Sequence, residues 1–376
     1  MIKIRLERKL LYVFAVFVIS YIRKGVVFLI DVIFGFDLPL INLFLMNLGQ
    51  ITGGLTIYTY QLITLNRHKE VYYFHTNLIH KKNIMLQQDK NYKVFLLIFL
   101  AAFFDFIEFI FSSFYFPKIS YVPSINGSKL GSFSIISSSL ICTYALGFKL
   151  GKHLKFSLIT LGICLFLTIL LESLYISTIE LLSMFIFAYF FIIIYLTSIS
   201  FTDCIERYLA DVDYKNPFII IMTEGIFEFC MSSIYSIGKE PFKELIYQYE
   251  QNDTGKFILL IFLLFIYLLL SAALNAYKIY VNVTFSPTAR SFMDFLLNPF
   301  FNIYYFIKED DFNKNYFYFF TNEIICFIID FFTCVYNEYL ILFCCGLEFD
   351  TKDEIARRSK NIGTLGFLLE DDYTNA

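Results

Sequence analysis

The chain has 376 residues, of which 58% are hydrophobic, 20% aromatic and only 17% charged, and its mean hydropathy of +0.63 lies outside the range of soluble globular proteins. A formal net charge of −3, with no concentrated basic domain, argues against nucleic acid as a partner. What remains is a chain that lives in a bilayer and crosses it several times.

A bilayer core of about 30 Å needs roughly 20 apolar residues of helix. Runs of that kind predict ten spans: Leu10–Phe34, Leu38–Leu65, Val94–Phe116, Asn126–Phe148, Leu154–Leu171, Thr178–Phe201, Phe218–Ile237, Phe257–Val281, Thr288–Ile307 and Phe317–Phe343. The runs are continuously apolar, where strands of a membrane barrel would alternate, so the fold class is all-α and polytopic. The opening "MIKIRLERKLLYVFAVFVISY" imitates a signal peptide, but no small-residue cleavage pattern follows, and the first span is expected to be retained.

Ionisable groups inside such runs are costly and mark protein-facing or water-facing positions. The first span carries Arg23 and Lys24, with Asp31 seven residues beyond Lys24 on nearly the same face. The second contains "NLGQITGGL", in which Gly49 and Gly53 are four apart beside Asn47 and Gln50. That spacing lets two helix backbones approach closely, with amides to bond across the contact. The third holds "LAAFFDFIEFIFSSF": Asp105 lies at its middle and Glu108 on the same flank, and pairing of Asp105 or Asp31 with Arg23 and Lys24 would offset part of the burial cost. A purely architectural ion pair is the plainer account of the same residues.

The seventh span opens "PFIIIMTEGIFEF", where Pro217 suits a helix start and Glu224 and Glu228 are one turn apart around Gly225. In the ninth, Arg290 and Asp294 are one turn apart, and Asn298-Pro299 should kink or break the helix. The tenth carries Glu323, Asp330, Asn337 and Glu338, and steps of seven and eight keep Glu323, Asp330 and one of the last two on one stripe, with Asp330 deepest.

Lys and Arg gather at the termini and in the loops after spans two, four, six and eight, which the positive-inside rule assigns to the cytosol. The sequons at Asn126 and Asn252 fall on the opposite side, while the one at Asn282 would be cytosolic and unused. The insert from Asn66 to Lys93 is expected to be a solvated loop with a surface helix. The eight cysteines lie in spans or on the cytosolic side and imply no disulfide framework; Cys344 and Cys345 suit either palmitoylation or simple apolar filling.

Ten spans in one membrane domain, 1–376, divide into an N-terminal five-helix repeat, 1–174, and a C-terminal one, 175–345, followed by a cytosolic tail, 346–376. A repeated half with an odd number of spans must insert the opposite way up, which is the inverted-repeat plan of many secondary transporters.

The segments "IERYLADVDYKNPFIIIMTEGIFEF", "TFSPTARSFMDFLLNPF" and "VYNEYLILFCCGL" resemble the drug/metabolite transporter superfamily, in particular its nucleotide-sugar-transporter-like solute carrier 35 F branch. Glu206, Arg207, Pro217, Thr223, Glu224, Gly225 and Phe227 match one motif of that branch, Ser286, Thr288, Arg290 and Asp294 a second, and Tyr336, Asn337 and Glu338 a third. Asp105 falls where the branch has a polar wall of its translocation cavity. Span four departs from the pattern: "SKLGSFSIISSS" leaves Lys129 and Ser137, Ser138 and Ser139 where the branch has an Arg, removing the group that an anionic substrate would meet.

The resemblance implies ten spans with cytosolic termini, a central cavity, alternating access without ATP, and a small organic solute such as a nucleotide sugar carried across an endomembrane (Golgi, endoplasmic reticulum or vacuole). It leaves room for a homodimer. Candidate substrate-binding residues are Arg23, Lys24, Gln50, Asp105, Glu108, Lys129, Glu224, Arg290, Asp294 and Asp330, with proton coupling conceivable through Asp105, Glu224 or Asp330.

No cofactor or metal is expected. An intramembrane enzyme is disfavoured, because His68, His75, His80 and His153 fall in expected cytosolic loops and neither H-E-x-x-H nor a phosphate-binding loop is present. The competing reading is a membrane scaffold with a degenerate cavity.

Overall fold

In hydrocarbon every backbone N–H and C=O must be bonded within protein, which favours helices for runs as apolar as these. A computed structural model describes residues 2–4, 9–34, 39–67, 91–111, 132–144, 150–174, 179–211, 215–239, 243–251, 254–284, 316–343, 346–347 and 351. Its elements are β1 (Ile2–Ile4), α1 (Lys9–Phe34), α2 (Pro39–Arg67), α3 (Asn91–Ile110), α4 (Ser132–Tyr144), α5 (Lys152–Ser173), α6 (Ile179–Asp211), α7 (Pro217–Tyr235), α8 (Lys243–Gln251), α9 (Thr254–Thr284), α10 (Tyr316–Tyr336) and β2 (Leu340–Leu342).

Seven of these helices, α1, α2, α5, α6, α7, α9 and α10, are long and apolar enough to cross a membrane. They present large apolar side chains outward, among them Phe28, Ile63, Phe166, Phe187, Phe262 and Phe320, a surface suited to lipid and not to water. The chain is a multi-pass membrane protein. Helix α3 has 20 residues but carries Lys93, Asp105 and Glu108, and α4 has 13. The expected span Thr288–Ile307 lies outside the described residues, as do Lys129, Arg290, Asp294, the sequons at Asn126 and Asn252, Cys344, Cys345 and most of the 66–93 insert and the tail.

The last helix ends sooner than its apolar run. It stops at Tyr336, not Phe343, because Glu338 adopts φ 60, a left-handed conformation that turns the chain out of the helix, and the Tyr339 and Glu338 N–H groups fold back onto the Cys334 and Val335 carbonyls at 2.9 and 3.1 Å. Leu340–Leu342 then pairs antiparallel with Ile2–Ile4, in the register Ile2 to Leu342, Lys3 to Ile341 and Ile4 to Leu340. Helix α6 overshoots its expected end at Phe201 and runs to Asp211, since its added turns bring Asp203, Glu206 and Arg207 to polar partners.

The chain forms two compact units, each drawn from both halves of the sequence. In the first (Met1–Arg8, Asn126–Tyr175 and Asp294–Ala376), α5 packs on α10 and α4 around Ile135, Leu161, Cys164, Leu171, Ile325 and Ile329. In the second (Lys9–Ile125 and Ile176–Met293), α2 packs on α7 and α9, α3 on α6 and α7, and α1 on α9.

The glycines explain why α2 takes the centre of the second unit. A Cβ on Gly53 would stand 2.5 Å from the Ala272 carbonyl oxygen, and one on Gly49 would stand 2.8 Å from the Ser271 Cβ, so both positions are filled by the backbone of α9. On the α7 side, a Cβ on Gly54 would meet the Phe218 carbonyl at 2.7 Å and one on Gly225 would meet the Gln50 Cβ at 2.8 Å. Helix α7 is set by its start: Asn216 Oδ1 accepts from the Phe218 N–H at 2.9 Å, Pro217 occupies the first turn, and Asn216 Nδ2 donates to Gln61 Oε1 of α2 at 2.9 Å.

Overpacking of this kind costs about 1–3 kcal/mol. Gly53→Ala is therefore expected to lower the thermal midpoint of the detergent-solubilised protein, whereas Gly162→Ala, with nothing within 4 Å, leaves it unchanged or raises it.

Candidate functional site

Each helix at the heart of the second unit carries one polar stripe on an otherwise apolar surface. On α9 it is Ser271, Asn275, Lys278 and Asn282, at steps of four, three and four that keep one helix face. On α7 it is Glu224, Glu228 and Ser232, on α2 Asn47 and Gln50, on α3 Asp105, and on α6 Asp203 and Glu206. Except for Lys278, whose side chain is 14% exposed, all of these residues are buried.

The stripes meet. Gln50 Nε2 donates to Asp105 Oδ2 at 3.1 Å and to Glu228 Oε1 at 3.3 Å, so one amide joins α2, α3 and α7. Lys278 Nζ donates to Asp105 Oδ1 at 3.3 Å, an ion pair linking α9 to α3. Asn47 Nδ2 donates to Ser232 Oγ at 2.8 Å. Asn282 Nδ2 donates to Glu206 Oε2 at 2.5 Å and to the Asp203 carbonyl at 3.0 Å, tying α9 to α6. Glu224 shares a side-chain hydrogen bond with Glu206 and lies within electrostatic reach of Asp105 and Lys278, which makes these links one cluster. Arg207 donates to the carbonyls of Asn282 and Val283, where the end of α9 leaves C=O groups without helical partners.

Three of the ten candidate substrate-binding residues come together here: Gln50, Asp105 and Glu224. From sequence Asp105 is expected to pair with Arg23 or Lys24; in the structure its ion-pair partner is Lys278. Arg23 instead lies over the Tyr267 ring, 5.7 Å from its centroid, and Lys24 is exposed, 5.4 Å from the centroid of Tyr21. Glu108 is half-buried on α3. Asp330 is in the other unit, buried on α10 within electrostatic reach of Glu323.

A lysine near the end of an apolar run reads from sequence as a cytosolic flank, yet α9 continues to Thr284 and leaves the Lys278 side chain only 14% exposed. The step pattern on α9 was the available signal. Asn282, seen as a sequon, is fully buried with its amide engaged, so it accepts no glycan in this fold.

The first unit has a smaller polar group. His153 belongs to the first turn of α5, not to a loop: it is 4% exposed, and its Nε2 lies 3.2 Å from Glu338 Oε1. Tyr336 and Ser139 hydroxyls are 2.5 Å apart. The serines of α4 turn inward on their own helix, Ser137 Oγ donating to the Ser134 carbonyl and Ser139 Oγ to that of Ile135. Among the described residues no group of three or more His, Cys, Asp or Glu is placed to hold a metal ion.

Neither the scan against protein-family models nor the search of curated proteins finds a match for the chain.

Removing one member of a buried ion pair strands the other and costs about 3–5 kcal/mol. Lys278→Met alone should therefore lower the unfolding midpoint substantially, and the Lys278→Met/Asp105→Leu double variant should recover most of the loss, as read by thermal denaturation of the purified protein.

Proposed function

We propose that the chain is a secondary transporter that moves a small organic solute across an intracellular membrane by alternating access, built as two inverted five-helix repeats. The observation that carries this reading is the buried polar cluster shared by α2, α3, α6, α7 and α9. Buried polar and charged side chains in membrane spans are costly to keep and most often line a substrate or ion path.

The pairing of helices supports the repeat. With α1 to α7 as spans one to seven, α9 as eight, Thr288–Ile307 as nine and α10 as ten, a shift of five spans exchanges α1 with α6, α2 with α7, α3 with α9 and α5 with α10. Under that exchange the contact of α1 with α9 becomes that of α6 with α3, and α2 with α9 becomes α7 with α3. The contacts of α2 with α7 and of α5 with α10 map onto themselves. All of these are found among the helix contacts. The bonds Asn47–Ser232, Gln50–Glu228 and Asp105–Lys278 likewise join exchanged helices, as expected for residues gathered along a pseudo-two-fold axis in the membrane plane.

The terminal ladder supports the span count. Ile4 and Leu340 are paired, so the chain leaves the two-stranded ladder and returns to it, and the crossings between must be even in number. Seven long helices with α3 and α4 make nine among the described residues, and the expected span Thr288–Ile307 would make the number even. The positive-inside pattern then puts both termini in the cytosol.

The motif resemblance to the drug/metabolite transporter superfamily points the same way. Full-length protein in proteoliposomes, offered a panel of nucleotide sugars, amines and amino acids, should take up at least one solute saturably without ATP. Asp105→Asn should lower that flux about tenfold or more, the loss expected when a charge-assisted contact is removed. A folded protein that moves none of the panel would favour the scaffold reading.

A further inference from the structure

Among the described residues the cluster of the second unit gathers more acids than cations. Asp105, Asp203, Glu206, Glu224 and Glu228 are each more than nine-tenths buried, and the cation acting on both Glu224 and Glu228 is Lys278. The guanidinium of Arg207 is turned to the carbonyl oxygens at the end of α9.

It is also unbalanced in hydrogen bonding. Asn47 and Gln50 have N–H groups engaged inside the cluster, on Ser232 and on Asp105 and Glu228. Left without a protein partner are Asn47 Oδ1, Gln50 Oε1, Glu224 Oε1 and Glu228 Oε2, on residues 0%, 2%, 2% and 1% exposed. The two amide oxygens are acceptors, and so is each carboxyl oxygen that carries no proton. A buried acceptor is satisfied by a donor, and a carboxylate in a low-dielectric site is best satisfied by a charged one.

We propose that this cluster is the cargo site and that its cargo is a small organic cation with N–H donors, a primary ammonium or a guanidinium, held by Asp105, Glu224 and Glu228 and by the amide oxygens of Asn47 and Gln50. The proposal rests on the transport reading and names its substrate class. A phosphate-bearing cargo would bring more acceptors and more negative charge to a place already rich in both. A bare metal ion is the poorer fit, because no metal-holding group of His, Cys, Asp or Glu exists among the described residues.

Lys278 then acts as a resident cation. Its ammonium occupies Asp105 at 3.3 Å, and an arriving ammonium competes with it for that carboxylate. This gives Lys278 a role opposite in sign to the one it would have with anionic cargo, where it would be the contact that binds.

Isothermal titration of the full-length protein in detergent tests the idea, with butylammonium, agmatine and uridine monophosphate as probes and sodium and calcium chloride as controls. Saturable binding of butylammonium or agmatine is expected, weakened about tenfold or more by Glu228→Gln and tightened by Lys278→Met. Where Lys278→Met does not fold, the near-isosteric Glu228→Gln decides alone.

The inference is overturned if neither cationic probe binds, if sodium or calcium alone produces the heat, or if uridine monophosphate binds and loses its affinity in Lys278→Met. Flux measured on the same preparations keeps the two ideas apart. Cation binding without any flux supports the site and sinks transport, whereas flux of the anion supports transport and sinks the site.

Discussion

The carboxylate of Asp105, buried in a helix whose neighbours are aliphatic and aromatic, is the constraint around which the second unit is arranged. An isolated charge in hydrocarbon is too costly to persist, so the helix that carries it must be held where a cation and donors are within reach. Lys278 supplies the cation from α9 and Gln50 the donor from α2. Buried ion pairs of this kind contribute little net stability compared with apolar residues of the same volume. Their strength lies in what they forbid: sliding or rotating α3, α2 or α9 by one residue would strand a charge.

Such bonds are short, and helices can make them only if their backbones come close. Gly49 and Gly53 on one side of α2, with Gly54 and Gly225 at its contact with α7, provide that approach. The small residues and the polar ones thus form one device. Close packing brings the amides of Asn47 and Gln50 into reach of Ser232, Asp105 and Glu228, and those bonds fix the register in which the glycines fit. Phe104 stacked on Phe201, with ring centroids 4.9 Å apart, and Thr202 donating to the Ala101 carbonyl at 3.3 Å, set α6 against the same α3.

How much of this could be read from the sequence follows from how locally each feature is encoded. Apolar runs, the glycine spacing of α2, the Pro217 start of α7 and the oddity of Asp105 are visible within a few residues, and the structure uses each of them. The partner of Asp105 is 173 positions away, and only the spacing of Ser271, Asn275, Lys278 and Asn282 sets that lysine apart from a flanking one. The early stop of α10 was hidden for a related reason. "EYLILF" is as apolar as the helix before it, and only its pairing with Ile2–Ile4, at the far end of the chain, decides that it is strand. The motif around Glu206 was legible as a motif but not as chemistry, since its meaning depends on Asn282 of another helix.

Under the proposed exchange of repeats, α3 and α9 are equivalent helices, yet one brings an acid to the axis and the other a base. A transporter with identical halves would hold its two access states at equal free energy by symmetry. In the proposed transporter, opposite charges at equivalent positions would remove that equality, because reversing the tilt of the two repeats would move Asp105 and Lys278 through unlike surroundings. The pair is also the point at which occupancy can speak to conformation. Lys278 on Asp105 ties α3 to α9, and a cation bound to Asp105 instead, as proposed, would release the tie. A ligand shifts a conformational balance only by its difference in affinity for the two states. Competition for a single carboxylate would provide that difference at the contact where the halves would part in the proposed transport cycle.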